Sequence, residues 1–136
     1  LPEKGSVLAP DKSLCDQCPR KDSKPEKIEI SEFRRLATSS ADPEECFLAG
    51  GFVCMGPSTR TGCGELCIRG NMPCRGCFGP TSQTRDMGAK FLGAIGSLLA
   101  ASEQEQCDRI ASTLADPMGT FYRFSLPASI LKQRMS

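Results

Sequence analysis

Apolar positions are spread unevenly along this chain, and a helical period is visible only in its last third. Met87, Phe91, Ile95 and Leu98 fall on one face of a helix. Ala89, Gly93, Gly96 and Ala100 fall on a separate face and leave a smooth strip that another backbone can approach closely. Glycine costs about 1 kcal/mol per site in a helix interior, so the strip is expected to have a packing use. Thr81, Ser82 and Thr84 offer N-cap hydroxyls ahead of this helix. Ser102-Glu103-Gln104-Glu105 fits a capping box and predicts a second helix, with Cys107, Ile110, Ala111 and Leu114 as its buried face and Asp116-Pro117 as its stop. The tail from Thr120 to Pro127 concentrates Phe121, Tyr122 and Phe124, and Ala128 to Arg134 is expected to form a short final helical turn.

Before residue 80 the pattern is different. Residues 1–14 are expected to form an opening strand or loop, and Cys15-Asp16-Gln17-Cys18-Pro19 a tight loop. Residues 20–45 are charged and mostly irregular around an apolar patch of Ile28, Ile30, Phe33 and Leu36. The run from Cys46 to Pro80 is built largely from Gly, Pro and Cys without a sustained period, which predicts loops and single turns wrapped around something. The expected fold is mainly α with extensive irregular loops, two C-terminal helices and little sheet. Residues 1–80 would form the loop region, and residues 81–136 a helical segment and aromatic tail packing on it as one structural domain.

Composition makes that "something" necessary. The chain has 136 residues, 6% aromatic, with no Trp, 13 glycines and 10 prolines. A chain so poor in large apolar side chains and so rich in loop formers needs a staple beyond its core. Charge is nearly balanced, 17 Lys+Arg against 16 Asp+Glu, which gives no support to a nucleic-acid partner. The longest apolar-rich run, residues 89–101, is too short for a membrane span. No signal-peptide pattern follows Leu1-Pro2-Glu3-Lys4, although the chain also lacks an initiator Met.

The nine cysteines supply the candidate staple, and eight of them lie between Cys15 and Cys77. Their spacings are Cys15-x2-Cys18, Cys46-x7-Cys54, Cys63-x3-Cys67 and Cys74-x2-Cys77. Disulfides, zinc and iron–sulfur clusters are three physical readings of such density. Four pairs provide thiolates for two four-cysteine sites. Zinc gathers four thiolates on one ion, whereas a [4Fe–4S] cube offers one iron to each. The long Cys46–Cys54 gap and the Gly/Pro-rich surroundings suit the wider cube. The chain has no His, which excludes mixed Cys/His zinc fingers, Rieske centres and haem ligation by His. Arg20, Lys21, Arg60, Arg69, Arg75 and Arg85 lie close in sequence to these cysteines and could offset cluster charge, although exposed cations often do no more than face water. Cys107, on an apolar helical face, is expected to be a small buried thiol rather than a ligand. Phe33, Phe47, Phe52 and Phe78 are expected to shield the clusters from water.

The run from Cys54-Met55-Gly56-Pro57-Ser58-Thr59-Arg60-Thr61-Gly62-Cys63-Gly64-Glu65-Leu66-Cys67 to Asn71-Met72-Pro73-Cys74-Arg75-Gly76-Cys77-Phe78-Gly79-Pro80 resembles [NiFe]-hydrogenase small subunits. It is most similar to the cytoplasmic methyl-viologen-reducing, F420-non-reducing type, and the segments 1–20 and 119–127 are similar to it as well. The resemblance implies an electron relay with two [4Fe–4S] clusters. Cys15, Cys18, Cys46 and Cys54 would hold the distal cluster, and Cys63, Cys67, Cys74 and Cys77 the medial one. Cys15 stands where many relatives have His, and Cys67 supplies a fourth medial ligand that many lack. The implied partners are the large nickel–iron subunit and an iron–sulfur acceptor subunit. The family's flavodoxin-like domain and the nickel ligands are not among these residues. The chain is thus expected to belong to an oxidoreductase complex without being catalytic alone, as a fragment or a split subunit.

Two other functions fit the same residues: a zinc-stapled protein-binding module, and a free-standing ferredoxin-like carrier. Two readings are also open for the tail and the small-residue strip. Phe121, Tyr122, Phe124 and the glycine face either dock on a partner or pack within the chain.

Overall fold

The computed structural model describes residues 1–6 and 8–131. Its α-helices are α1 (Leu66–Arg69), α2 (Met87–Gly96), α3 (Gln104–Ser112) and α4 (Pro117–Phe121), joined by loops and short 3-10 turns. No extended strand forms among the described residues. Of the two forms expected for the opening segment, strand or loop, it takes the loop and contributes a single bridge, Ser13 to Arg60. Three further isolated bridges pair Ile30 with Leu99, Arg34 with Phe52 and Thr59 with Pro80. Gly, Pro and Cys dominate this region and break any period-2 pattern, so the chain pairs one residue at a time.

Helix α2 follows the predicted face. Met87, Phe91 and Ile95 are buried, and Leu98, beyond the helix end, is half-buried. Burial of a side chain the size of Phe91 is worth about 1.5–3 kcal/mol. Its ring lies 5.4 Å from that of Phe121 on α4. The cap is Asp86, not a hydroxyl of Thr81, Ser82 or Thr84. Its Oδ1 accepts from the Ala89 N–H at 2.8 Å, and its Oδ2 accepts from the Ile130 N–H at 2.8 Å, which pins the tail to the helix start. Thr81 and Thr84 instead bond each other.

Helix α3 starts where expected but without a capping box. Glu103, at the N-cap, makes no capping bond, and Gln106 Oε1 accepts from the Ser102 N–H at 3.2 Å. Ile110 is its buried residue, Cys107 and Leu114 are half-buried, and Ala111 is exposed, so the buried stripe is narrower than predicted. Asp116-Pro117 does more than stop α3. Asp116 caps α4 through the Gly119 N–H, and Pro117 occupies its first turn, the arrangement that favours proline at a helix start. The tail then closes in a 3-10 turn at Leu126–Ala128. The predicted final turn lies partly outside the described residues.

The glycine strip and the tail divide between the two open readings. Phe121 and Tyr122 are buried within the chain, whereas Phe124 is 56% exposed. Gly93 and Gly96 face open space, with no neighbour against them among the described residues. The close approach occurs at Gly88 instead, where a Cβ would lie 2.4 Å from the Tyr122 ring.

A single apolar cluster joins both parts of the chain. Ile28, Ile30, Phe33, Phe47 and Phe52 from the loops share it with Phe91, Ile110 and Phe121 from the helices. Phe33 is further tied to α3, since its N–H donates to Thr113 Oγ1 at 2.8 Å.

Candidate iron–sulfur sites

Backbone pairing brings the first cysteine group together. Leu14 N–H donates to the Thr59 carbonyl at 2.7 Å, and Thr61 N–H to that of Lys12 at 3.1 Å. These bonds lay the Cys15 loop against the 3-10 turn Gly56–Ser58, just after Cys54. Ser23 Oγ donates to the Arg20 carbonyl at 2.7 Å and accepts from the Cys46 N–H at 2.8 Å, which joins the Cys18 loop to Cys46. The four thiols of Cys15, Cys18, Cys46 and Cys54 consequently line one cavity, with Phe47, Leu48, Pro57 and Ile68 as apolar walls and Arg20 beside them. Gly56 leaves room for the convergence: a Cβ there would lie 3.2 Å from Cys15 Sγ and 3.6 Å from Cys54 Sγ.

The second group sits on a loop of unusual backbone. Gly62, Gly64, Glu65, Asn71, Gly76 and Gly79 all have positive φ, a conformation that lets a short chain reverse repeatedly. Cys74 is buried, Cys63 half-buried and Cys77 exposed, and Cys63 and Cys77 lie close enough to act electrostatically on Cys74. Cys67 stands exposed on α1, whose carbonyl at that residue accepts from the Met72 N–H at 2.8 Å. Cys107 is half-buried on α3, remote in sequence from both groups.

The two groups meet at Cys54 and Cys74. The Cys74 N–H donates to Cys54 Sγ at 3.4 Å, and the Met55 N–H donates to the Cys74 carbonyl at 2.9 Å. Cys74 Sγ in turn accepts from the Gly76 N–H at 3.4 Å and lies 3.5 Å from Thr59 Oγ1. Burial pushes the Cys15 and Cys54 thiols up to about 12, and it raises Cys18 and Cys74 as well. Without a metal to hold, these thiols are protonated near neutral pH. A metal or cluster bound there must displace the protons.

These observations fit an iron–sulfur group. Thiols ring a cavity walled by apolar side chains, N–H groups point at sulfur, and a missing Cβ makes space.

Of the cations near the cysteines in sequence, Arg20 is the buried one, at 5% exposure. Arg60 and Arg75 are half-buried, while Lys21, Arg69 and Arg85 are exposed. Arg60 covers the Phe78 ring at 4.9 Å, and Arg69 pairs with Glu65 at 3.6 Å. Phe47 walls the first cavity as expected of a shield. Phe33 and Phe52 belong to the core and line a separate cleft with Arg34, Arg35, Arg75 and Arg123. Sequence order alone could not separate Arg20 from the other cations.

No protein-family model matches the chain. The F420-non-reducing hydrogenase G subunit of Methanothermus fervidus is 37% identical over 124 residues, 88% of this chain and 96% of that protein. The corresponding G subunit of Methanothermobacter thermautotrophicus is 38% identical over 133 residues, 95% of this chain but 42% of that protein. The F420-non-reducing hydrogenase iron-sulfur subunit of Archaeoglobus profundus is 35% identical over 137 residues, 99% of this chain and again 42% of that protein. The chain therefore spans less than half the length of these last two relatives. No helix among the described residues is long and apolar enough to cross a membrane.

Proposed function

The chain belongs to the family of F420-non-reducing hydrogenase G subunits, and on that premise we propose that it is the electron-relay part of a [NiFe]-hydrogenase small subunit. Cys15, Cys18, Cys46 and Cys54 would hold one [4Fe–4S] cluster, the distal one. Cys63, Cys67, Cys74 and Cys77 would hold the medial one. The observation that carries the reading is the ring of four thiols around a walled cavity, joined to the second group by the Cys74 N–H bond to Cys54 Sγ. When bound, such clusters accept and release single electrons at low potential. The chain's own residues wall the first site with apolar side chains, aim N–H groups at sulfur and keep the two sites adjacent. The large nickel–iron subunit and an iron–sulfur acceptor subunit would stand at the two ends of the relay, in the cytoplasm. This chain would supply no catalytic group of its own.

Metal and acid-labile sulfide analysis of anaerobically purified protein tests this reading. Two cubes give about eight iron and eight sulfide per chain. About two zinc per chain without sulfide would instead identify a zinc-stapled binding module.

A further inference from the structure

Arg20 is a buried cation whose hydrogen-bond partners are all neutral. One guanidinium nitrogen donates to the carbonyls of Asp42 at 2.7 Å and Glu45 at 2.8 Å, and the other donates to Asn71 Oδ1 at 2.7 Å. The group lies over Phe47, 4.0 Å from the ring centroid. Asn71 is anchored in turn, its Nδ2 donating to the Ala41 carbonyl at 3.2 Å. Burying a charge is costly unless an opposite charge compensates it, and among the described residues no carboxylate is bonded to this one. The cavity that it lines carries the four thiols Cys15, Cys18, Cys46 and Cys54.

We propose that Arg20 is the fixed counter-charge of the site formed by Cys15, Cys18, Cys46 and Cys54, and that it raises that site's reduction potential. The inference rests on the iron–sulfur reading of those four cysteines. Reduction adds one electron and one unit of negative charge to the site, with no proton or leaving group. A cation at the wall stabilises the more negative state, and burial in a low-dielectric wall strengthens the effect. The other charges acting here are placed less favourably. Lys24 and Asp16 lie near Cys15 with opposite signs, and both are exposed to water and its ions. Glu65 is itself buried near Cys18 and opposes Arg20 there, but it acts on that thiol less than Arg20 does and is paired with Arg69. Arg20 is also locked: three acceptors and a ring hold its plane, so it cannot swing away as the charge of the site changes. It acts through the field it sets rather than by touching a reacting atom, and is a positioning residue.

The test is a redox titration followed by EPR on anaerobically isolated protein in its native assembly, reduced with dithionite. Wild type is compared with Arg20→Gln, Arg20→Lys and Lys24→Gln. Arg20→Gln should move one cluster midpoint to more negative potential and leave the others in place. Arg20→Lys, which keeps the charge, should stay near wild type, and Lys24→Gln should shift the same midpoint less. If Arg20→Gln lacks that cluster while Arg20→Lys retains it, charge is still the variable that matters, and the inference stands. Equal shifts in the two Arg20 variants, no shift in Arg20→Gln, or loss of the cluster in both would overturn it, because Arg20 would then serve only to hold the loops. Wild-type protein without iron and sulfide would sink the iron–sulfur reading and the inference with it. Iron-loaded protein with unmoved midpoints would sink the inference alone.

Discussion

Residues 12–80 and residues 86–131 enter the same core by different means. The first region has little repetitive structure; carbonyls, thiols and one arginine fork fix its loops pairwise. The second is helical and is held by ring contacts and by Asp86 at both a helix start and the tail. In a loop region each residue ordered costs backbone entropy with few ladder bonds to offset it, so on the proposed reading its order depends on what its thiols hold. A helix with a buried face can persist without that help.

Removing the metal should open the widest gap between the two regions. In small metal-stapled domains the metal-binding free energy is folding free energy, on the order of 10 kcal/mol. Hydrogen exchange on metal-free protein should show protection collapsing across 46–77 while 87–112 stays partly protected. Retained protection at 46–77 would erase the distinction.

Within the helical region, the tail aromatics give the next contrast. Phe121→Ala should cost about 3–5 kcal/mol, as deletion of a core ring does. Phe124→Ala, at an exposed site, should stay within about 0.5 kcal/mol. Denaturant unfolding of the iron-loaded protein measures both. Equal losses would mean that Phe124 is covered in the assembled state.

Two glycines of α2 sharpen the picture further. Gly88→Ala forces a Cβ onto the Tyr122 ring and should destabilise by about 1–3 kcal/mol. Gly93→Ala meets open space and should stabilise by about 0.5–1 kcal/mol through helix propensity. A loss of stability at Gly93 would show that the glycine strip is occupied by something.

The last contrast concerns the tail clamp, a single carboxylate. Burial pushes the Asp86 carboxyl up, but hydrogen bonds from the N–H groups of Ala89, Ile130 and Gly88 and from the Tyr122 hydroxyl outweigh it and hold the group below its ordinary value of 3.8. A depressed carboxyl contributes stability that is complete above the unfolded value and lost as pH falls through the folded one. Asp86→Ala should therefore cost about 1 kcal/mol, by a margin that stays constant between about pH 8 and 5. Thermal midpoints of both proteins over that range check it.

Much of this was legible in the chain itself. The grouping of eight cysteines into four pairs pointed to thiol sites, and the structure brings Cys15, Cys18, Cys46 and Cys54 to one cavity; a 3.6-residue period announced α2 and its buried face. What stayed hidden depended on distant partners. Asp86 outcompetes the nearby hydroxyls as a cap because it also holds Ile130, 44 residues away. Gly93 and Gly96 looked like the close-approach strip, but Tyr122 selects Gly88, which no period reveals. Asp116-Pro117 carries the signals of both a stop and a start, and only the packing of Phe121 on Phe91 shows that a helix follows. Arg20 was one cation among six until burial separated it.

The hydrogen bond from Cys74 to Cys54 gives the two cysteine groups a common wall. On the proposed reading they are also a common point of failure. If oxidation stripped one cluster, its freed thiol would be reprotonated and its loop would loosen. The neighbouring site would lose either a bond to sulfur or the backbone that supplies it. Such a pair should decay together rather than one at a time, and insertion of the first cluster should ease insertion of the second. Cells maintaining this protein would then meet mainly two populations, fully equipped and empty, with few half-built copies competing for a place in the assembly.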